Sequence, residues 1–255
     1  MVVRADGGDE PRYRLLESVA EYGLARLDEA GESDDVHRRH RRYYTELAEH
    51  TAPMLHGPDQ RRRLRRLDEN GANFRRVLED TGRHGSVEDR LRLANALTWY
   101  WFLRGRLREA DRSLAAVLAA KAPGENTAVP DGVVPTASLR AQARAWRAGF
   151  AVLVGDDAER LRHGKGVREL SHDITGPRER ARAQSFVGFA LFGVGHQATS
   201  EALIERALEG FRALGDDWGV AAALSVRANQ AHARGDLDRP ASDGHRRAEL
   251  FTQLG

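Results

Sequence analysis

The side chains that could take part in chemistry do not combine into a complete catalytic motif. His163-Gly-Lys-Gly166 suggests a phosphate-binding loop, but the spaced upstream glycine and the Ser or Thr after the lysine are missing. We therefore interpret Lys165 as an exposed side chain on a weak helix. The chain has no cysteine, which removes thiol nucleophiles, disulfides and cysteine-based zinc sites together.

Two histidines, His37 and His40, lie three positions apart and close to Asp34 and Asp35. A metal site can be imagined there, but neither an HExxH motif nor a Cys/His ligand pattern is present. A solvated helix face is the favoured interpretation. We expect no catalytic residue, no metal site and no cofactor, and so a chain that is not an enzyme.

Two clusters of arginine, at 37–42 and 61–66, could contact phosphate or dock a neighbouring protein module. Acidic residues flank the second cluster, and both clusters fall on amphipathic patterns, so a solvated face with intramolecular salt bridges is favoured. The net charge of +2 is small, and direct binding of nucleic acid is disfavoured. The candidate docking residues are Arg38, Arg41, Arg42, Arg61, Arg62 and Arg65.

The composition, with 41% hydrophobic and 31% charged residues, suits a globular protein. No run approaches the roughly 18 apolar residues needed to span a bilayer. The first residues lack the apolar core of a signal peptide. We expect a cytoplasmic protein with no membrane partner.

A period of forty residues organises the second half of the chain. Phe211-Arg-Ala-Leu-Gly215 recurs as Phe251-Thr-Gln-Leu-Gly255, and Gly155, Gly195 and Gly235 follow the same step. Such a period indicates stacked helical hairpins. We predict an all-α helical-repeat solenoid of antiparallel helix hairpins. Its repeats fall at about 86–120, 137–171, 178–214 and 218–255, with a loop at 121–136, after a disordered stretch at 1–10 and a helical region at 11–85.

The same repeats predict which side chains face the concave side. The first helices of stacked hairpins line that side, and positions three or four apart share one helix face. Aromatic rings with amide and hydroxyl groups would suit a peptide or a small ligand. Packing between repeats is the alternative, and it weighs equally for Trp99, Phe189 and Asn229. The predicted concave residues are Asn95, Trp99, Phe102, Gln142, Ser185, Phe189, Phe192, Ser225, Asn229 and His232.

The repeats resemble tetratricopeptide repeats, in which a small residue lies seven positions before the turn glycine and an apolar residue lies three positions after that small residue. The resemblance implies a tetratricopeptide-like solenoid wound as a right-handed superhelix. The small residue lets the two helices approach, and the glycine permits the turn. The third repeat carries this pattern in Gly188, Leu191, Gly195, Ser200, Ile204 and Ala207.

The N-terminal half supports a narrower resemblance, through the segments at 13–24, 40–44, 73–75 and 99–105. In this order they look like the region that follows the nucleotide-binding and winged-helix modules of LuxR-type and SARP-type bacterial transcriptional regulators, which are STAND-class ATPases. The resemblance implies that 11–85 holds the winged-helix tail and linking helices. It also implies that the ATPase and DNA-binding modules lie outside this chain.

The function predicted from this resemblance is that of a non-enzymatic sensor and interaction module. Its partner would be a protein, a peptide or a small effector bound on the concave face. The alternatives are a helical protein that binds nucleic acid through its arginine clusters, or a helical enzyme.

Overall fold

The computed structural model describes residues 2–5, 12–79, 87–120, 134–155 and 171–236. Within these ranges it contains ten α-helices, one 3-10 helix and one pair of short strands. Neighbouring helices pack against one another along the chain, which confirms the predicted helical-repeat fold.

The N-terminus begins with two strands, β1 (Val2–Ala5) and β2 (Arg12–Leu15), paired antiparallel with Val2 opposite Leu15. The prediction of disorder over 1–10 is therefore wrong for Val2–Ala5. That prediction weighed the Gly- and Asp-rich composition of the segment alone. The pairing partner lies further along the chain and accepts a segment whose valines favour extended backbone.

The helical region that follows contains α1 (Glu17–Glu29), α2 (Ser33–Thr51), a 3-10 helix (Ala52–His56), α3 (Gln60–Glu69) and α4 (Gly71–Glu79). The break between α3 and α4 falls at Asn70. Its Nδ2 donates a hydrogen bond to the carbonyl oxygen of Arg66 at 2.7 Å. The side-chain amide thus replaces the backbone donor that would have continued the helix.

The repeats supply α5 (Val87–Leu103), α6 (Leu107–Ala119), α7 (Thr136–Val154), α8 (Pro177–Gly193), α9 (Gln197–Ala213) and α10 (Asp217–Ala233). Gly155, Gly195 and Gly235 follow α7, α8 and α10 with φ of 86°, 84° and 77°. Only glycine adopts this left-handed backbone without strain, which explains why the period is marked by glycine. Most of the loop predicted at 121–136, the parts of the predicted repeats at 156–170 and 237–255, and the Lys165 motif lie outside the described residues.

A close approach between α8 and α9 and two buried hydrogen bonds connect the last three described helices. A Cβ on Gly188 of α8 would lie only 3.0 Å from the Ile204 side chain of α9. The absence of that atom lets Ser200 donate to the Gly188 carbonyl oxygen at 2.6 Å. Gln230 of α10 in turn donates to the Ser200 hydroxyl at 2.7 Å. A buried polar chain therefore runs through all three helices.

The main apolar core extends from α2 to α8, with Leu55, Leu97, Leu114 and Phe150 among its fully buried members. A second core forms between α9 and α10 around Phe211. Among the helices that the structure describes, none is both long enough and apolar enough to cross a membrane.

Candidate functional site

A cavity of about 970 Å³ opens on the side of the repeats lined by their first helices. Its walls come mainly from α5, α7, α8 and α10, and the 3-10 helix closes one side. Small-molecule sites in proteins have volumes of roughly 300–1,000 Å³ and mostly apolar walls. Eight large aromatic side chains line this cavity: Trp99, Phe102, Trp146, Phe186, Phe189, Phe192, Phe211 and Trp218.

Helical spacing explains how the first helices bring these residues together. Along α5, α8 and α10 the lining residues recur every three or four positions, so each helix presents one continuous face. Nine predicted concave residues line the cavity, namely Asn95, Trp99, Phe102, Gln142, Ser185, Phe189, Phe192, Ser225 and Asn229.

His232 does not join them. It lies in the last turn of α10, where its side chain is exposed and outside the cavity wall. The three-residue step that leads from Asn229 to His232 carries the helix past the edge of the cavity, so this placement on the concave lining was wrong.

Aromatic contacts cross the concave side and connect helices that are distant in sequence. The ring of Phe102 on α5 lies 5.7 Å from that of Phe189 on α8. The rings of Trp99 and Trp218, from α5 and α10, lie 5.4 Å apart at an interplanar angle of 80°. These edge-to-face contacts make the concave side a partly enclosed cavity.

His56 completes the aromatic cluster from outside the repeats. Its ring lies 5.5 Å from that of Trp99 and 4.0 Å from that of Trp218. The Nδ1–H donates to the carbonyl oxygen of Pro53 at 3.2 Å. Burial, aided by the nearby Arg182 guanidinium, lowers the pKa of His56 to about 4, so the imidazole is neutral at pH 7.

Both arginines of the cavity wall lie beside carboxylates. Arg92 donates two hydrogen bonds to Glu49, at 2.8 Å and 2.7 Å. Arg182 lies 3.7 Å from Asp216, whose carboxylate also accepts from the Gly219 backbone at the start of α10. Burial lowers the pKa of Arg182, and the carboxylate of Asp216 opposes that shift.

Four buried polar atoms on residues that line the cavity have no hydrogen-bond partner within the described part of the chain. They are the Nε1 donors of Trp99 and Trp146, the Nε donor of Arg182 and the Oδ1 acceptor of Asn95. Asn95 and Trp146 are more than nine-tenths buried, with 8% and 5% of their surface exposed. The Asn95 amide nitrogen is already used, since it donates to the Leu139 carbonyl oxygen at 3.0 Å.

Sequence reasoning did not select several of the lining residues. Trp146, Arg182 and Trp218 lie four positions after Gln142, three before Ser185 and seven before Ser225. Extending the same helical spacing by one or two steps would have found them. His56 carries no such signal, because only the tertiary structure brings the 3-10 helix to α10.

The first arginine cluster is mostly engaged within the chain. Arg41 is only 6% exposed and lies 3.7 Å from Asp89, so its assignment as a docking residue was wrong. Its side chain packs between α2 and α5, and a partner could not reach it. Arg38 pairs with Asp35, and Arg42 with Glu46, on the exposed face of α2.

The second cluster, by contrast, is open to solvent. Arg61, Arg62 and Arg65 are exposed on α3. Their docking role stays a prediction.

Packing against Tyr44 places His40 of α2. The His40 ring lies 4.6 Å from that of Tyr44 and its burial lowers its pKa. No group of three or more His, Cys, Asp or Glu residues in the described ranges is arranged to hold a metal ion.

Three known proteins are similar to part of this chain, each 39% identical over 112 residues. All three carry the name "Putative HTH-type transcriptional regulator"; one is from Mycobacterium bovis and two are from Mycobacterium tuberculosis strains CDC 1551 and H37Rv. The similarity covers 43% of this chain and only 12% of the length of each relative. No family model matches the chain. No solved structure matches it.

Proposed function

We propose that this chain is a non-enzymatic, cytoplasmic sensor module of a bacterial transcriptional regulator, and that it binds an effector in the cavity. The aromatic-walled cavity of about 970 Å³ is the observation that carries the proposal. The three similar proteins, all named as transcriptional regulators, supply the context. The tetratricopeptide-like repeats and the likeness to LuxR-type and SARP-type regulators belong to the same proposal.

The enclosure of the cavity favours a small effector over an extended protein partner. An extended peptide or helix needs a continuous groove. Here the Trp99–Trp218 and Phe102–Phe189 contacts cross the concave side. A molecule that fits between these rings would be largely surrounded by protein, as small ligands usually are.

The proposed switch follows from which elements meet at the cavity. The 3-10 helix, α5 and α10 come together there through the rings of His56, Trp99 and Trp218. A ligand that binds one relative placement of these helices better than another shifts their populations by its difference in affinity. Modules attached at either end of the repeats, here proposed to be an ATPase and a DNA-binding module, would respond to that shift.

A non-enzymatic role agrees with the state of the polar groups in the wall. Arg92 is held by Glu49, and Arg182 lies beside Asp216. These pairs orient and neutralise their side chains, which suits a binding wall.

A large side chain inside the cavity provides a test of this function. In the source bacterium, Ala222→Trp, on the α10 wall, should change the set of transcripts that the regulator controls, because the new ring occupies the effector's space. Ala116→Trp is the matched control, since Ala116 is exposed on α6 and away from the cavity. Transcripts that are the same in both variants and in the wild type, with the proteins equally abundant, would contradict the proposal.

The exposed arginines of α3 support a second candidate, a basic surface that contacts nucleic acid. DNA binding by Arg61, Arg62 and Arg65 would weaken steeply with salt, because each neutralised phosphate releases condensed cations. A titration of duplex DNA at several salt concentrations tests this. Binding that is lost on replacing all three arginines by alanine would favour the second candidate.

A further inference from the structure

We infer that the cavity binds an uncharged, mainly apolar molecule that carries hydrogen-bond acceptors, such as an aromatic ketone or amide. This inference rests on the proposed function and specifies the chemistry of the effector. Three features of the wall support it: its charge balance, its unused hydrogen-bonding atoms and its rings.

The charges of the wall balance. Its ionised residues are Glu49, Arg92, Glu179 and Arg182, two acids and two bases. Arg92 is paired with Glu49 through two hydrogen bonds. Arg182 has Asp216 at 3.7 Å, and although burial lowers its pKa, the nearby Asp216 and Glu179 carboxylates oppose that shift. An anionic ligand would therefore have to approach arginines that already face the carboxylates of Glu49, Glu179 and Asp216, and these would repel it.

A cationic ligand is disfavoured for a related reason. Aromatic rings attract cations through their faces, and Trp99 and Trp218 could in principle provide such a site. The carboxylates that would attract a cation already face Arg92 and Arg182, however, so a cationic ligand would have to compete with these arginines for them. The His56 ring, which contacts both tryptophan rings, is uncharged at pH 7 and so does not attract a cation by charge.

The unused atoms of the wall indicate what the ligand should carry. Buried polar groups in folded proteins are almost always hydrogen-bonded, and exceptions need a reason. The Trp99 and Trp146 indoles each have a buried N–H with no acceptor in the described ranges, and Asn95 has a buried oxygen with no donor. A carbonyl oxygen on the ligand would accept from an indole, and a hydroxyl or amide N–H could donate to Asn95.

The rings of the wall favour a flat, apolar scaffold. The ring centroids of Trp146 and Phe186 lie 4.5 Å apart, with an angle of 38° between the ring planes. Those of Trp99 and Phe102 lie 5.0 Å apart, with an angle of 32°. Phe189, a large apolar side chain on the same wall, keeps 39% of its surface exposed. These surfaces gain most from covering by a planar, weakly polar molecule.

Four small probes of one shape separate the alternatives. They are naphthalene, 2-acetylnaphthalene, 2-naphthoate and protonated 2-(aminomethyl)naphthalene, titrated calorimetrically into the intact chain at pH 7. We expect 2-acetylnaphthalene to bind about tenfold or more tightly than either charged probe, and Ala222→Trp to abolish its binding.

Trp146→Phe keeps an aromatic ring but removes the indole N–H. It should weaken 2-acetylnaphthalene by about tenfold, the value of one hydrogen bond, and leave naphthalene nearly unchanged.

Trp99→Phe is the second variant, and circular dichroism shows whether each variant remains folded. If Trp146→Phe does not fold, the same comparison is read from Trp99→Phe. Equal or tighter binding of naphthoate or of the ammonium probe would overturn the inference while the proposed sensor function stands. Binding of none of the probes would overturn it as well, and the transcript comparison then decides the proposed function separately.

Discussion

The rings of His56 and Trp218 lie 4.0 Å apart, although one residue ends the 3-10 helix and the other begins α10. This contact joins the helical region before the repeats to the last described helix. It lies at the edge of the cavity, beside Trp99. The neutral state of His56 and the closure of the cavity are therefore linked.

Acid should weaken the fold through His56. Its pKa is about 4 in the folded chain against an ordinary value of 6.5, so the unfolded chain takes up the proton first as pH falls. The contribution of His56 to the free energy of unfolding does not change above pH 6.5. Between pH 6.5 and pH 4 it falls by at most about 3 kcal/mol. Urea unfolding at several pH values measures this loss.

His56→Phe provides the comparison for that measurement, because a phenyl ring can keep the contacts with Trp99 and Trp218 without titrating. The variant should lose less stability than the wild type over this pH range. His40, whose pKa is also lowered by burial, will contribute to the remaining slope. Identical pH dependence in both proteins would show that His56 is not held neutral in the folded chain.

A methyl group at Gly149 should disturb the cavity wall from behind. A Cβ there would lie 2.6 Å from the ring of Phe186, which is buried among Trp146, Phe150 and Phe102 and cannot easily move. Gly149→Ala should therefore lower the free energy of unfolding by about 1–3 kcal/mol, measured by chemical denaturation.

Gly23→Ala is the control for this substitution, since a Cβ at Gly23 within α1 would meet nothing within 4 Å. It should be neutral or stabilising by up to about 1 kcal/mol, because alanine favours the helix. A Gly149→Ala protein as stable as the Gly23→Ala protein would contradict the packing described for Phe186.

The Gln230–Ser200–Gly188 hydrogen-bond chain should contribute measurably to stability. Ser200→Ala leaves the buried Gln230 amide without the acceptor it has at 2.7 Å, at a cost of about 1–3 kcal/mol. Ser225→Ala is the matched control on α10. Its hydroxyl donates only within its own helix, to Ala221, and its loss should change stability by less than about 0.5 kcal/mol. Equal effects of the two substitutions would show that the hydrogen bonds joining Gln230, Ser200 and Gly188 do not stabilise the fold.

The repeat phase could be predicted from the sequence because it depends on local rules. Gly155, Gly195 and Gly235 mark the turns through their left-handed backbone, and helical spacing then selects one face of each helix. Residues as far apart as Asn95 and Asn229, which this spacing selects, line the same cavity. Their role in binding stays a prediction.

The features that the sequence did not reveal depend on contacts between distant segments. Burial of Arg41 requires α5 to supply Asp89, and the strand at Val2–Ala5 requires a partner at Arg12–Leu15. The break at Asn70 results from one side-chain hydrogen bond to Arg66. None of these has a periodic signature, so periodicity alone could not have shown them.

Binding of an uncharged fluorescent ketone tests the central claim most directly. The probe 6-propionyl-2-(dimethylamino)naphthalene emits at shorter wavelength in an apolar site. With the wild-type chain and with Ala116→Trp, we predict a saturable blue shift with one probe bound per chain. With Ala222→Trp, whose added ring occupies the cavity, we predict no shift. An equal shift in all three proteins would show that the probe binds elsewhere and would contradict the cavity as the binding site.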